Sequence, residues 1–173
     1  MTLKPIRIGF GYDVHPFVEN RELWLGGIRI PCDKGLQGHS DADVLIHAMC
    51  DALLGAANQR DIGYHFPDTG DEFKNIDSKI LLARTMKLIR SESYELGNID
   101  ITVCAEKPKL NPFILQMKTC LAQTMQVAEE DISIKATTSE KMGFVGREEG
   151  IAVFATALLL RKFRTNSDNK FTT

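Results

Sequence analysis

Apolar residues alternate along some stretches of the chain and recur at helical spacing along others, in the order ββ-α-α-β-α-β. Residues 6–17 read as a strand with Gly9, Gly11, Asp13 and His15 on one face. Two glycines on one strand face imply that something approaches that face closely. Residues 21–30 read as a hairpin turning at Gly26-Gly27 or nearby. From Gly38 the helical period sets in. Val44, Leu45, Ala48, Ala52 and Leu53 make a stripe on a helix running to about Ala57, with Ser40 or Asp41 as its N-cap. His47 lies inside that helix, and Asp43 and Asp51, one turn away on either side, share its face.

Residues 60–71 form a long, carboxylate-rich connection of the kind that binds a ligand or lacks structure. Residues 78–92 are an amphipathic helix capped by Asp77. Residues 98–105 are a strand, and Asn111 as N-cap with Pro112 at the first helical position opens a helix to about Gln126. Residues 132–138 are another strand. The last strand, 151–160, is apolar on both faces, which suits a central place in a two-layer sheet or burial between subunits. The pattern predicts a single α+β (α/β) domain over residues 1–164, with a mixed β-sheet covered by helices on one face. Residues 165–173 are a polar tail expected to be disordered.

Composition narrows the function classes. A chain of 173 residues with 43% apolar and 25% charged content is sized for one globular core. A net charge of −2 gives no general pull toward nucleic acid or an anionic membrane, so a phosphate ligand needs a local site. The longest apolar run is about half a membrane span. Residues 1–5 lead into the first strand without an apolar signal region, so the expected location is cytoplasmic, or an organelle reached through a segment absent here. Cys32, Cys50, Cys104 and Cys120 lack metal-ligand or redox spacing and are expected to be buried free thiols.

Side chains two apart on a strand point the same way, so Asp13 and His15 converge, and His47 completes a three-ligand set with a fourth position open, as in catalytic zinc sites. The alternative is a plain strand-end ion pair. Carboxylates beside His47 would serve as partners of the ligand. Asp61 and Asp68 are placed to take sugar hydroxyls. Lys107 and Lys109 flank Pro108 at a strand end, where they meet a phosphate or base or are simply solvated. Residues 138–147 combine hydroxyls, Glu140, a lysine and spaced glycines; such a loop cradles phosphate, and Glu140 suits a hard cation on it.

Several stretches together carry a resemblance: Gly-Tyr-Asp-Val-His at 11–15, Gly-His-Ser-Asp-Ala-Asp-Val from 38 with His47 downstream, and Asp-Ile-Gly at 61–63. Phe-Pro-Asp-Thr at 66–69, Glu-Lys-Pro-Lys at 106–109 and Ala-Thr-Thr-Ser-Glu-Lys-Met-Gly-Phe-Val-Gly-Arg at 136–147 complete it. In this order they resemble the 2-C-methyl-D-erythritol 2,4-cyclodiphosphate synthase family of the non-mevalonate isoprenoid pathway, over residues 6–162. Two positions depart from the family pattern: Arg60 stands where a glycine commonly precedes Asp-Ile-Gly, and Gly70 where an aspartate often follows Phe-Pro-Asp-Thr.

The resemblance implies a phosphorus-oxygen lyase that cyclises 4-diphosphocytidyl-2-C-methyl-D-erythritol 2-phosphate and releases CMP. It implies a homotrimer with sheets facing a central channel and active sites between subunits. Asp13, His15 and His47 would bind zinc or another divalent transition metal, and Glu140 magnesium or manganese. His39 and Thr138 would be catalytic, His39 by orienting a phosphate. Asp61, Gly63, Phe66, Pro67, Asp68, Thr69 and Gly70 would hold the erythritol end. Ala105, Lys107, Pro108, Lys109 and Leu110, with Thr137, Ser139, Phe144 and Arg147, would hold the nucleotide end and its phosphates. Partners would be this small molecule and two further copies of the chain, with no nucleic acid and no membrane. The rival readings are a zinc-dependent phosphohydrolase and a non-catalytic nucleotide-binding regulator.

Overall fold

The computed structural model describes residues 6–67, 73 and 75–162. Its frame is a five-stranded mixed sheet in the order β4-β1-β7-β5-β6. The long strand β1 (Ile6–Glu19) runs antiparallel to β7 (Gly150–Arg161), in register from Ile6 opposite Leu160 to Pro16 opposite Gly150. On its other side β7 pairs antiparallel with β5 (Tyr94–Cys104), and β5 pairs parallel with β6 (Ile132–Thr137). The short β4 (Lys34–Leu36) pairs with the end of β1. A separate hairpin joins β2 (Leu23–Leu25) to β3 (Ile28–Ile30) through Gly26 and Gly27, both at positive φ, the backbone that a two-residue hairpin turn requires.

One helix carries the architecture. α1 (Val44–Ala57) packs across β1 and β7. A Cβ on Gly9 would sit 2.0 Å from the Ala52 carbonyl oxygen, and one on Gly11 would sit 2.0 Å from that of Ala48. The close neighbour implied by the two glycines is therefore α1 itself, whose Ala48, Ala52 and Ala56 make the matching small-residue stripe. The residues on this inner face, such as Ile151, Val153, Ala155 and Ala157 of β7, are fully or almost fully buried. α1 also packs against the one-turn α2 (Ile62–His65) and α3 (Ser78–Ser91); α4 (Ile114–Met125) lies against α3 and β6, and the one-turn α5 (Gly143–Gly146) against β7. Among the described residues no helix is long and apolar enough to cross a membrane.

Over the opposite sheet face the described residues place only the one-turn α5, whose Phe144 meets Tyr12 and Phe154 at one end. Ile6, Ile8, Phe10, Tyr12 and Val14 of β1 are 40–68% exposed there, with Phe154 of β7 stacked between Phe10 and Tyr12 at ring-centroid distances of 6.3 and 5.0 Å. β7 is central, as its two-sided apolar pattern implies, but the uncovered apolar strip is carried mainly by β1.

Four expectations need correction. The N-cap of α1 is Asp43, whose carboxylate accepts from the Ile46 N–H; Ser40 and Asp41 shape the turn before it by accepting from the Ala42 and Asp43 N–H groups. β5 starts four residues earlier than expected, because a bulge at Leu96/Asn98 lets the ladder continue past Gly97. Residues 111–113 form a 3-10 turn before α4, and no side chain caps either element, so Asn111 is not a cap. Cys32 is exposed and Cys104 and Cys120 half-buried, which leaves Cys50 as the one fully buried thiol; its burial pushes its pKa up to about 12. All four are free thiols.

Candidate functional site

The close contact of α1 on β1 brings His47 to the end of β1, where Asp13 and His15 project from the inner face. Asp13 Oδ2 lies 2.9 Å from His15 Nε2 and 3.2 Å from His47 Nδ1, and the two ring nitrogens are 3.2 Å apart. A tetrahedral ion with ligands at about 2.0–2.1 Å would hold its ligand atoms about 3.3 Å apart, so this triangle fits one divalent cation with a fourth position open. The other nitrogen of each ring is also engaged. His15 Nδ1 meets the Gln37 carbonyl, which accepts only, so this nitrogen carries the proton and Nε2 turns its lone pair into the triangle. His47 Nε2 lies 3.1 Å from Ser78 Oγ and 3.2 Å from Ser40 Oγ.

The electrostatics suit a cation. Burial pushes the Asp13 carboxyl up, but hydrogen bonds and charge from His15 and His47 outweigh it and hold the group well below the usual carboxylate range. Burial opposes protonation of His15, yet the hydrogen bond and charge of Asp13 raise its pKa above the ordinary imidazole value. Without a cation the two groups pair with each other.

The carboxylates expected to bracket His47 do other work. Asp43 is fully buried and, besides capping α1, accepts from the N–H groups of Gly26 and Gly27 at 3.0 and 2.7 Å, clamping the hairpin turn to the helix. Asp51 accepts from Ile62 N–H at 2.8 Å and Asp61 from Tyr64 N–H at 2.8 Å, so both carboxylates fix the start of α2. That places Gly63 and Phe66 in the wall of a cavity of about 290 Å³ that His15, His39, Ser40 and His47 also line. Arg60, the departure noted before Asp-Ile-Gly, has φ +66, the left-handed backbone that favours glycine. Its guanidinium lies 4.1 Å from the Tyr64 ring centroid, a contact glycine could not make. His65 is half-buried with Nε2 on the Gln59 carbonyl at 2.7 Å. Pro67 is exposed at the end of this segment, and Asp68, Thr69, Gly70 and Asp71 lie outside the described residues.

The residues expected at the nucleotide end gather elsewhere. The Lys107–Pro108 peptide is cis, and Ala105 N–H donates to the Thr137 carbonyl, joining residues 105–110 to the end of β6. Glu106 Oε1 accepts from Ser139 N–H, Ser139 Oγ–H and Lys141 N–H, which folds residues 138–141 into a compact turn with Glu140 and Lys141 at positive φ. These bonds hold the Glu106 carboxyl below its ordinary pKa. Thr138 Oγ donates to Glu140 at 2.7 Å. Ser139 and Phe144 line a shallow cleft against Tyr12 and Phe154, Arg147 pairs with Glu149 at 2.7 Å, and Lys107 pairs with Glu148 at 3.1 Å. Leu110 is buried.

Register places the two clusters at one end of the sheet. His15 stands opposite Ile151, Ala152 opposite Cys104, and Cys104 opposite Thr137. From β1 to β6 is three strand spacings, roughly 14 Å.

Residues 6–160 match the YgbB family. The chain belongs to that family. Curated relatives include the 2-C-methyl-D-erythritol 2,4-cyclodiphosphate synthases of Azobacteroides pseudotrichonymphae, 72% identical across 89% of this chain and 92% of the relative, and of Parabacteroides distasonis, 71% identical across 90% and 97%. Among solved structures, the bifunctional IspDF of Campylobacter jejuni superposes with a TM-score of 0.87 at 47% identity, over 90% of this chain and 42% of that protein. A CDP complex of Plasmodium falciparum IspF gives 0.82 at 34%, over 94% and 100%.

Reading the sequence missed Ser78 altogether and, though Glu106 stands in the Glu-Lys-Pro-Lys stretch, missed its bonds to residues 139 and 141. Ser78 lies 31 residues from His47 and Glu106 lies 33 from Ser139, so no local spacing announced either.

Proposed function

We propose that this YgbB-family enzyme is a 2-C-methyl-D-erythritol 2,4-cyclodiphosphate synthase: it closes 4-diphosphocytidyl-2-C-methyl-D-erythritol 2-phosphate on itself and releases CMP. The observation that carries the reading is the triangle of Asp13, His15 and His47 at the mouth of a mostly apolar cavity, in a chain more than 70% identical to enzymes of that name.

The reaction asks for positioning and charge stabilisation. An oxygen of the 2-phosphate attacks the β-phosphorus, the bond from that phosphorus to the CMP oxygen breaks, and CMP leaves with the electron pair. The attacking oxygen is already anionic, so no strong base is needed, and the barrier lies in bringing two polyanions together. Asp13, His15 and His47 would hold zinc or a similar divalent ion, and Glu140 a magnesium or manganese ion; such ions supply Lewis-acid stabilisation of charge on the phosphates. Glu140 offers one carboxylate already hydrogen-bonded to Thr138, so a cation there would complete its shell with phosphate oxygens and water. His39, on the cavity wall beside His15 and His47, orients a phosphate. Ile62, Phe66, Phe73 and Leu81 exclude water from the cavity and so strengthen every charge interaction inside it. Asp61 holds α2 with one oxygen, leaving the other for an erythritol hydroxyl. Thr138, Ser139 and the backbone of residues 105–110 receive the nucleotide end.

The working unit is a homotrimer with the active site shared between subunits. Two features support this: the uncovered strip of Ile6, Ile8, Phe10 and Tyr12, and the roughly 14 Å between the metal triad and the nucleotide cluster of one chain. A neighbouring copy that covers the strip can bring its nucleotide cluster to the triad.

The test is product analysis by ³¹P NMR of purified chain with zinc, magnesium and the diphosphocytidyl substrate. Cyclic diphosphate and CMP in equal amounts are expected. A linear diphosphate would make the enzyme a phosphohydrolase, and binding without turnover would make it a regulator; either result overturns the reading.

A further inference from the structure

We propose that Ser78 and Asp41 form a hydrogen-bonded relay that fixes the orientation and tautomer of His47 and thereby sets the metal affinity of the site. The proposal rests on the metal-site reading above and extends it to two side chains outside the ligand set. His47 turns Nδ1 toward Asp13 and His15 and Nε2 toward Ser78 Oγ, 3.1 Å away. Ser78 is fully buried, and its hydroxyl donates to Asp41 Oδ1. A hydroxyl has one proton. With that proton committed to Asp41, Ser78 Oγ can only accept from His47, so Nε2 carries the ring hydrogen and the Nδ1 lone pair faces the ion. Ser40 Oγ, 3.2 Å from Nε2, accepts from the Ala42 N–H and offers a second, weaker partner to the ring.

Asp41 is held as firmly as the histidine it serves. Its Oδ2 accepts from Ser78 N–H at 2.9 Å, its Oδ1 from Asp43 N–H at 3.2 Å, and its own N–H donates to the Ile76 carbonyl at 3.1 Å. Ser78 is the first residue of α3 and directly follows the segment that puts Phe73 and Ile76 in the cavity wall. The relay therefore ties a metal ligand on α1 to the end of the substrate-side loop. His15 receives the same service from the Gln37 carbonyl, so both rings have one nitrogen committed and the other aimed at the ion.

The experiment measures zinc affinity by competition with a chromophoric chelator, and the melting temperature of the metal-free protein, for wild type, Ser78→Ala, Asp41→Asn and Ser40→Ala/Ser78→Ala. Ser78→Ala keeps the backbone N–H on Asp41, so it removes the relay without releasing α3. It should weaken zinc about 10-fold, since Ser40 still accepts, and the double variant up to about 100-fold, with metal-free melting nearly unchanged for Ser78→Ala. Asp41→Asn removes the charged acceptor of the Ser78 hydroxyl and, whichever way the amide turns, sets an N–H against a backbone donor, that of Asp43 or of Ser78. It should weaken zinc as Ser78→Ala does and, unlike Ser78→Ala, also lower the metal-free melting temperature. If Ser78→Ala and the double variant hold zinc within twofold of wild type, the two residues only anchor α3 and the relay is refuted. A wild-type chain that binds no zinc would instead overturn the metal reading itself.

Discussion

Adding one methyl group to β1 should damage the proposed metal site more than the fold. In Gly11→Ala the new Cβ would lie 2.0 Å from the Ala48 carbonyl oxygen and 2.7 Å from the Ala52 nitrogen, both backbone atoms of α1. Separations under 3.0 Å are essentially never found for a Cβ, so the helix must retreat by about 1 Å. Overpacking of this kind costs about 1–3 kcal/mol, or a melting temperature lower by roughly 2–12 °C at this chain length. The same retreat carries His47, which precedes Ala48, away from Asp13 and His15. The two 3.2 Å sides of the triangle that end on His47 open toward about 4 Å, and the set no longer fits one tetrahedral ion. Thermal melts with and without zinc, beside a chelator competition, check both effects, and zinc should lift the variant's melting point far less than the wild type's. Gly55→Ala is the control on the same helix. Its Cβ meets nothing within 4 Å, so the exchange should stabilise by about 0.5–1 kcal/mol and leave zinc binding unchanged. A Gly11→Ala protein that melts with wild type and binds zinc within twofold of it would refute the argument that close α1–β1 contact builds the site.

Phe10→Asp, on the uncovered strip, should leave each chain folded but separate the proposed trimer, which light scattering would read as a drop to monomer mass; an unchanged oligomer mass would show that copies meet elsewhere. His15 has a folded pKa raised above its ordinary 6.5. In metal-free protein it therefore contributes stability that is fully present below pH 6.5 and is lost as pH rises through the folded value. Zinc needs the neutral ring, so the zinc-induced rise in melting temperature should grow across that same window; a rise independent of pH there would contradict a ligand role for His15. His39→Ala should keep zinc and lower kcat on the order of 10²-fold in single-turnover assays; zinc loss would mean His39 is a ligand, and an unchanged rate that it only shapes the loop.

The fold was legible wherever one period governed a long segment. β1, α1, α3 and β7 lie where alternation and helical spacing put them; β1 and α3 bury one regular face, while α1 is buried almost all round. The glycine face of β1 even announced its partner's proximity, though not its identity. What escaped was set by distant contacts. Gly97 looks like a strand breaker until β7 pairs on both sides of the bulge it sits in. The exposed strip on β1 escaped notice because Ile6, Ile8, Phe10 and Tyr12 alternate with the inward glycines, and apolar residues opposite a glycine face do not declare which side meets water.

The same limit explains the division within the site. Asp13, His15 and His47 were readable because their geometry is local: two residues apart on a strand, and a histidine on a helix that had to lie nearby. The partners of those side chains were not. Helical spacing favoured Asp43 and Asp51 as neighbours of His47, since residues one turn apart share a face. Yet a side chain at a helix N-cap turns back to the free N–H groups of the first turn, and Asp43 does so, taking two hairpin N–H groups with it. Asp51 likewise finds an unpaired donor at the start of α2. Unsatisfied backbone N–H groups at helix and turn starts outcompeted the imidazole for both carboxylates. The histidine was left to a buried serine 31 residues away, backed by the one aspartate of the Gly-His-Ser-Asp-Ala-Asp stretch that neither caps the helix nor faces solvent alone.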